Sequence, residues 1–173
     1  ILSIEHTPAH HTWLCDLGDT FREPQPAEKL IGPGALKQMR RRIVLLPNGA
    51  LIVADRIRAV DGRPVEFRVP IPSTDVRFDG TAARWTVGDG VARIVDWTAM
   101  RVERSINTEA FRTRICEEER TLFRLRAGKQ ETAVFAVVIG IDGAEKGITV
   151  SADAQRIRIG GLPNGFAQFD WGE

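Results

Sequence analysis

The residues best suited to chemistry gather near the start of the chain. His6, His10 and His11 are the three histidines, and Asp16 and Asp19 follow them. Imidazole and carboxylate are zinc-ligand types. Their spacing does not make a local cage. On an extended strand, residues four apart are separated by about 13 Å, and neighbours such as His10 and His11 face opposite ways. One of them can join a metal site only with ligands from elsewhere; otherwise they are packing or surface histidines.

Arg40, Arg41 and Arg42 form a second cluster. They are either an anion patch or a solvated edge with cross-strand ion pairs. On a strand, Arg40 and Arg42 share one face and Arg41 takes the other. Trp13, Trp85, Trp97 and Trp171 are a third set. An indole plane can stack on the apolar face of a pyranose, or it can fill a core.

Other chemistries are absent. There is no nucleophile elbow, P-loop or dinucleotide fingerprint; Gly140, Gly143 and Gly147 are spaced by turns. Ser3, Ser73, Ser105 and Ser151 have no base beside them. Cys15 and Cys116 can bridge only if their Cα atoms come within about 7 Å, and two thiols do not complete a zinc cage. The chain contains no Tyr.

The elements that must position these groups read as strands. Two β-branched apolar runs flank Pro47-Asn48-Gly49 within Met39 to Arg58, and Asn-Gly tolerates the positive φ of a tight hairpin. Further turns fall at Asp61-Gly62, Asp79-Gly80, Gly88-Asp89-Gly90, Ala127-Gly128, Asp142-Gly143, Gly160-Gly161 and Pro163-Asn164-Gly165. Between them Val65, Phe67, Val69 and Ile71 alternate with polar residues or Pro70, as do Ile157 and Ile159 with arginines. Ala133 to Ile141 is almost wholly apolar, which predicts a central strand covered on both faces. Residues 18–35, with Pro24, Pro26, Gly32, Pro33 and Gly34, read as loop. Glu117 to Arg120 is open between a helical turn and a strand. The tail from Phe166 reads as a last strand. The class is all-β: an antiparallel β-sandwich of about 10–13 strands.

One domain accounts for 173 residues. A formal net charge of +1 gives no bulk electrostatic reason for a nucleic-acid partner. No apolar run reaches the roughly 20 residues of a membrane-spanning helix. The cations are lopsided, 20 Arg against 4 Lys. Guanidinium forks pair bidentately with carboxylate and sulfate, which suits an acidic glycan; GC-rich coding explains the bias equally well. Residue 1 is Ile, and the expectation is a C-terminal fragment of a larger chain, spanning 1–173 as a single β-sandwich domain.

Three segments resemble the C-terminal β-sheet region of heparinase II/III-like polysaccharide lyases. Ala9-His10-His11-Thr12, with Asp16 and Gly18 downstream, is similar to that family's Ala-His-Asn-Thr segment and its Asp-Gly. Arg41-Arg42-Ile43-Val44-Leu45-Leu46, then Asn48-Gly49 and Leu51-Ile52-Val53-Ala54-Asp55-Arg56, resembles the family hairpin. Glu66-Phe67-Arg68-Val69-Pro70 resembles its Phe-His-Leu strand before Pro. The likeness is concentrated between His10 and Pro72. His11 stands where the family usually has Asn, and Arg68 where it has His.

The resemblance implies β-elimination on an acidic, uronate-containing polysaccharide, a glycosaminoglycan or alginate. It implies a partner, an upstream α-helical toroid domain of the same protein carrying the main catalytic residues. The base in such lyases is often Tyr or His, so a chain without Tyr is expected to be inactive alone. Aligned with the family segment, His10 matches a histidine that binds zinc in some relatives, with the other ligands upstream. Family habit implies a periplasmic or secreted protein. The alternative is a non-catalytic glycan-binding or structural β-sandwich, which requires tryptophans on an exposed concave face.

Overall fold

The computed structural model describes residues 1–17, 36–59, 62, 64–112 and 117–172, with backbone only at 111, 112, 117 and 118. The expected loop 18–35, Asp19, Asp61 and Cys116 lie outside the described residues.

Fourteen strands are described: β1 (Ser3–Thr7), β2 (His10–Asp16), β3 (Leu36–Leu45), β4 (Leu51–Ala59), β5 (Val65–Ile71), β6 (Arg77–Phe78), β7 (Ala82–Val87), β8 (Gly90–Asp96), β9 (Val102–Arg112), β10 (Glu117–Ala127), β11 (Thr132–Ile141), β12 (Thr149–Ala152), β13 (Arg156–Leu162) and β14 (Gly165–Asp170). The count exceeds the expected range because short pieces such as β6, only two residues long, pair as separate strands. The alternative of a helical turn at Glu117 to Arg120 does not hold. That stretch begins β10, which pairs with β9 from Glu117↔Arg112 to Ala127↔Val102.

All pairings are antiparallel. They build an eight-stranded sheet in the order β1-β2-β3-β4-β11-β8-β7-β6, a three-stranded sheet β5-β10-β9 and a second three-stranded sheet β12-β13-β14. Residue parity shows how they stack. Ala133, Phe135 and Val137 of β11 join one apolar core with Phe67, Phe123 and Leu125 of the β5-β10-β9 sheet. Ala136 and Val138 of the same strand join a second core with Val150, Ile157, Ile159, Phe169 and Trp171. The eight-stranded sheet is therefore a middle layer, with a small sheet on each face. This is why β11 reads as unbroken apolar sequence: Phe135, Ala136, Val137 and Val138 are all wholly buried.

The turns follow their chemistry. The β3–β4 hairpin closes with Leu46 N–H on the Ala50 carbonyl and Gly49 at φ +86°. That is the left-handed position a three-residue hairpin loop reserves for glycine. At Asp79, one carboxylate oxygen accepts from the N–H groups of Thr81 and Ala82, an Asx turn joining β6 to β7. Gly140 serves close approach instead. A Cβ there would lie 2.5 Å from the Glu145 nitrogen, so glycine lets the 142–147 segment lie flat on β11.

Candidate functional site

Alternation along β2 sends the histidines to opposite faces. His6 and His11 are cross-strand partners on β1 and β2. Their Nδ1 atoms are 2.7 Å apart, so one ring donates to the other. Trp13 sits beside both rings, at 6.1 and 6.5 Å. His10 faces the other way. It is buried and meets Phe169 edge-on at 5.0 Å. Its Nε2 has no hydrogen-bond partner, and the nearest carboxylate oxygen is Glu5 Oε1 at 3.7 Å. Among the described residues no group of three His, Cys, Asp or Glu side chains could hold a metal. His10 and Glu5 supply two donors, so the described residues do not complete a zinc cage. Asp16 is exposed, 4.0 Å from Arg40 Nε, and Cys15 is a free thiol.

The arginine triplet divides as strand geometry requires. Arg40 and Arg42 are buried on the face of the second core. Arg40 donates to the Trp171 carbonyl at 2.8 Å, and Arg42 to the Asp170 carbonyl at 2.6 Å and Thr12 Oγ1 at 3.2 Å. Arg42 also lies over the Phe169 ring, 5.1 Å from its centroid. Burial pushes the Arg42 guanidinium below its ordinary value, against the pull of Glu5 and Asp170. On the opposite face Arg41 donates twice to Asp55, both bonds 2.7 Å. Burial raises the Asp55 carboxyl, and the Arg41 fork opposes that rise. The triplet is thus a clamp on the C-terminal strand plus one internal ion pair. The reading as an exposed anion patch does not hold.

The tryptophans do not assemble into one platform. Trp85 belongs to the first core and Trp171 to the second, both buried, with Trp97 packed against the second. Trp13 remains with the His6–His11 pair.

Sequence reasoning missed a groove on the outer half of the middle sheet. Arg77, Arg84 and Arg93 lie in register across β6, β7 and β8, and Gly140 of β11 continues the row. The groove runs between this row and the 142–147 segment, and is lined also by Asp79, Asp142, Glu145 and Lys146. Glu145 is buried, its Oε1 3.8 Å from Arg93. A signal was present in the sequence. The turn residues Asp79-Gly80 and Gly88-Asp89-Gly90 mark two successive hairpins, with an arginine on each of the three strands they join.

No known protein-family profile matches this sequence, and no curated protein does. Solved structures do share its fold. A heparinase III matches 97% of this chain with a TM-score of 0.67 at 9% identity. Heparan sulfate lyase HepC from Pedobacter heparinus matches 97% with a TM-score of 0.65 at 12% identity. A further heparinase III matches 97% with a TM-score of 0.64 at 11% identity. The chain spans only about a quarter of each, 26%, 27% and 26% respectively. The likeness to heparinase-type lyases read from residues 10 to 72 is therefore met by the fold of nearly the whole chain: it is an all-β, layered antiparallel sandwich that recurs as one part of heparinase III and HepC.

Proposed function

We propose that this chain is the C-terminal β-sandwich domain of a polysaccharide lyase that cleaves an acidic, uronate-containing glycan by β-elimination. The observation that carries this is the recurrence of the fold, over 97% of the chain, within structures titled heparinase III and heparan sulfate lyase. The three motif segments between His10 and Pro72 support it separately.

Such a reaction removes the proton α to the uronate carboxylate and expels the 4-linked sugar. It needs a base within reach of that proton and donors that neutralise the carboxylate. This chain has no Tyr. Its imidazoles are committed elsewhere: His6 and His11 to each other, His10 to a buried place against Phe169. On this reading the base comes from an upstream α-helical toroid and the sandwich supplies one wall of the cleft. Ile4, 53% exposed opposite Trp13 on β1–β2, supports a docking surface there. His10, with its unpartnered Nε2, contributes one ligand to a metal such as zinc whose remaining ligands come from beyond the described residues. The alternative, a stand-alone glycan-binding module, loses its platform because Trp85 and Trp171 fill the cores.

The test is to incubate the full-length protein with heparan sulfate, alginate and a neutral glucan, and to follow the ultraviolet absorbance of an unsaturated uronate. Absorbance should rise with an acidic glycan only, and this chain alone should produce none. A well-folded full-length protein silent on every uronate polymer counts against the reading.

A further inference from the structure

The groove on β6–β8 holds an electrostatic imbalance that two other facing arginine pairs among the described residues avoid. Like charges directly opposite each other on neighbouring strands are destabilising. Arg68 and Arg124 face each other across β5 and β10. There Glu66 accepts from both, at 2.7 and 2.8 Å, and Glu109 accepts from Arg124 at 3.0 Å. Arg40 and Arg56 face each other across β3 and β4. There the guanidiniums donate to the carbonyls of Trp171 and Ala154. Arg77 and Arg84 also face each other. Neither guanidinium has a hydrogen bond or ion pair among the described residues.

The acids of the groove do not fill this gap. Asp79 Oδ2 and Glu145 Oε1 turn to Arg93, at 3.7 and 3.8 Å. Asp142 Oδ1 accepts from the Val91 N–H. Arg77 and Arg84 are exposed, on a stretch of the middle sheet where the second core, beneath the β12-β13-β14 sheet, does not extend. Lys146, from the segment that Gly140 allows to lie close, joins Arg77, Arg84 and Arg93 as a fourth cation of the groove wall.

From this we infer that Arg77 and Arg84 form a binding site for one anionic group, a sulfate or carboxylate carried on a linear acidic glycan. Neighbouring strands are about 4.8 Å apart, so two guanidinium forks can converge on one tetrahedral or planar oxyanion. Lys146 and Arg93 extend the positive side of the groove for the next unit of the polymer. The class of ligand, a glycan, rests on the lyase reading above; the anion site rests on the unpaired arginines.

The experiment measures binding of a sulfated oligosaccharide, its desulfated neutral counterpart and inorganic sulfate to the chain. It compares the wild type with the double variant Arg77→Gln/Arg84→Gln and a control, Arg156→Gln/Arg158→Gln, on β13. The wild type should prefer the sulfated oligosaccharide, with affinity falling as salt rises and with inorganic sulfate competing. The groove variant should lose about tenfold or more, the scale of one charge-assisted contact, and the control less than about twofold. Because the groove variant removes facing like charges, its thermal midpoint without ligand should equal or exceed that of the wild type. Unchanged affinity in the groove variant, an equal loss in the control, or equal binding of the neutral sugar overturns the site. An active full-length lyase with unchanged affinity in the groove variant overturns the site and leaves the lyase reading intact. Groove-dependent binding in a protein without lyase activity does the reverse.

Discussion

Arg41 and Asp55 sit directly opposite on β3 and β4, joined by two 2.7 Å hydrogen bonds, with the carboxylate wholly buried beneath the first core. The Arg41 guanidinium also lies 5.7 Å from the centroid of Phe67, which ties the middle sheet to the β5-β10-β9 layer. Removing Arg41 alone leaves a buried charge without its partner. Arg41→Ala is therefore expected to cost about 3 kcal/mol, read as a lower urea midpoint. The pair Arg41→Met with Asp55→Leu should recover much of that loss, because two apolar side chains of similar volume leave nothing unpaired. Equal stability of Arg41→Ala and wild type would show that the pair is not the anchor described.

Acid should weaken the outer face of the β5-β10-β9 sheet through Glu66. Burial alone would raise this carboxyl, but hydrogen bonds from Arg124 and Arg68 outweigh it and hold the group below its ordinary value of 4.5. A lowered folded-state value means stability present above pH 4.5 and lost as the pH falls through the folded value. Asp79 and Asp153 act in the same direction, the first held down by the Ala82 and Thr81 N–H groups and the second by those of Gln155 and Arg156. Unfolding midpoints measured downward from pH 6 should therefore decline below about 4.5. Glu66→Gln should make that decline shallower without abolishing it, since the two aspartates remain.

Gly140→Ala tests the close approach that forms the groove. The added carbon would meet the Glu145 backbone nitrogen at 2.5 Å and its Oε2 at 2.7 Å. The first neighbour is main chain and cannot swing away, so the 142–147 segment must lift. The expected cost is about 1–3 kcal/mol. Faster amide hydrogen exchange should appear at Ala144, Lys146 and Ile148, whose N–H groups bond within that turn. Unchanged exchange there would mean the segment is held by other contacts.

Much of the architecture was legible because it is local. The turn at Asn48-Gly49, the alternation of Val65, Phe67 and Ile71, and the apolar run of β11 each follow from a few adjacent residues and appear as expected. Alternation also separated Arg41 from Arg40 and Arg42 correctly. What those arginines bind was not legible. Asp170 and Trp171 are about 130 residues away, and their carbonyls reach Arg42 and Arg40 only once β14 packs on the second core. Of the two readings of the Trp set, core filling holds for Trp85 and Trp171, though local sequence does not say which layer each indole enters. The arginine row of the groove is an intermediate case. The two turns were legible, but the register across them and the lack of side-chain partners at Arg77 and Arg84 emerge only when each strand and carboxylate is placed.

On the proposed lyase reading, the full-length protein eliminates and does not hydrolyse. Mass spectrometry of the products formed by the full-length protein from a uronate-containing polymer tests it most directly. The expected non-reducing end is an unsaturated uronate, lighter by one water than the saturated sugar that hydrolysis leaves. Saturated ends, or an intact polymer with folded protein, would contradict the account.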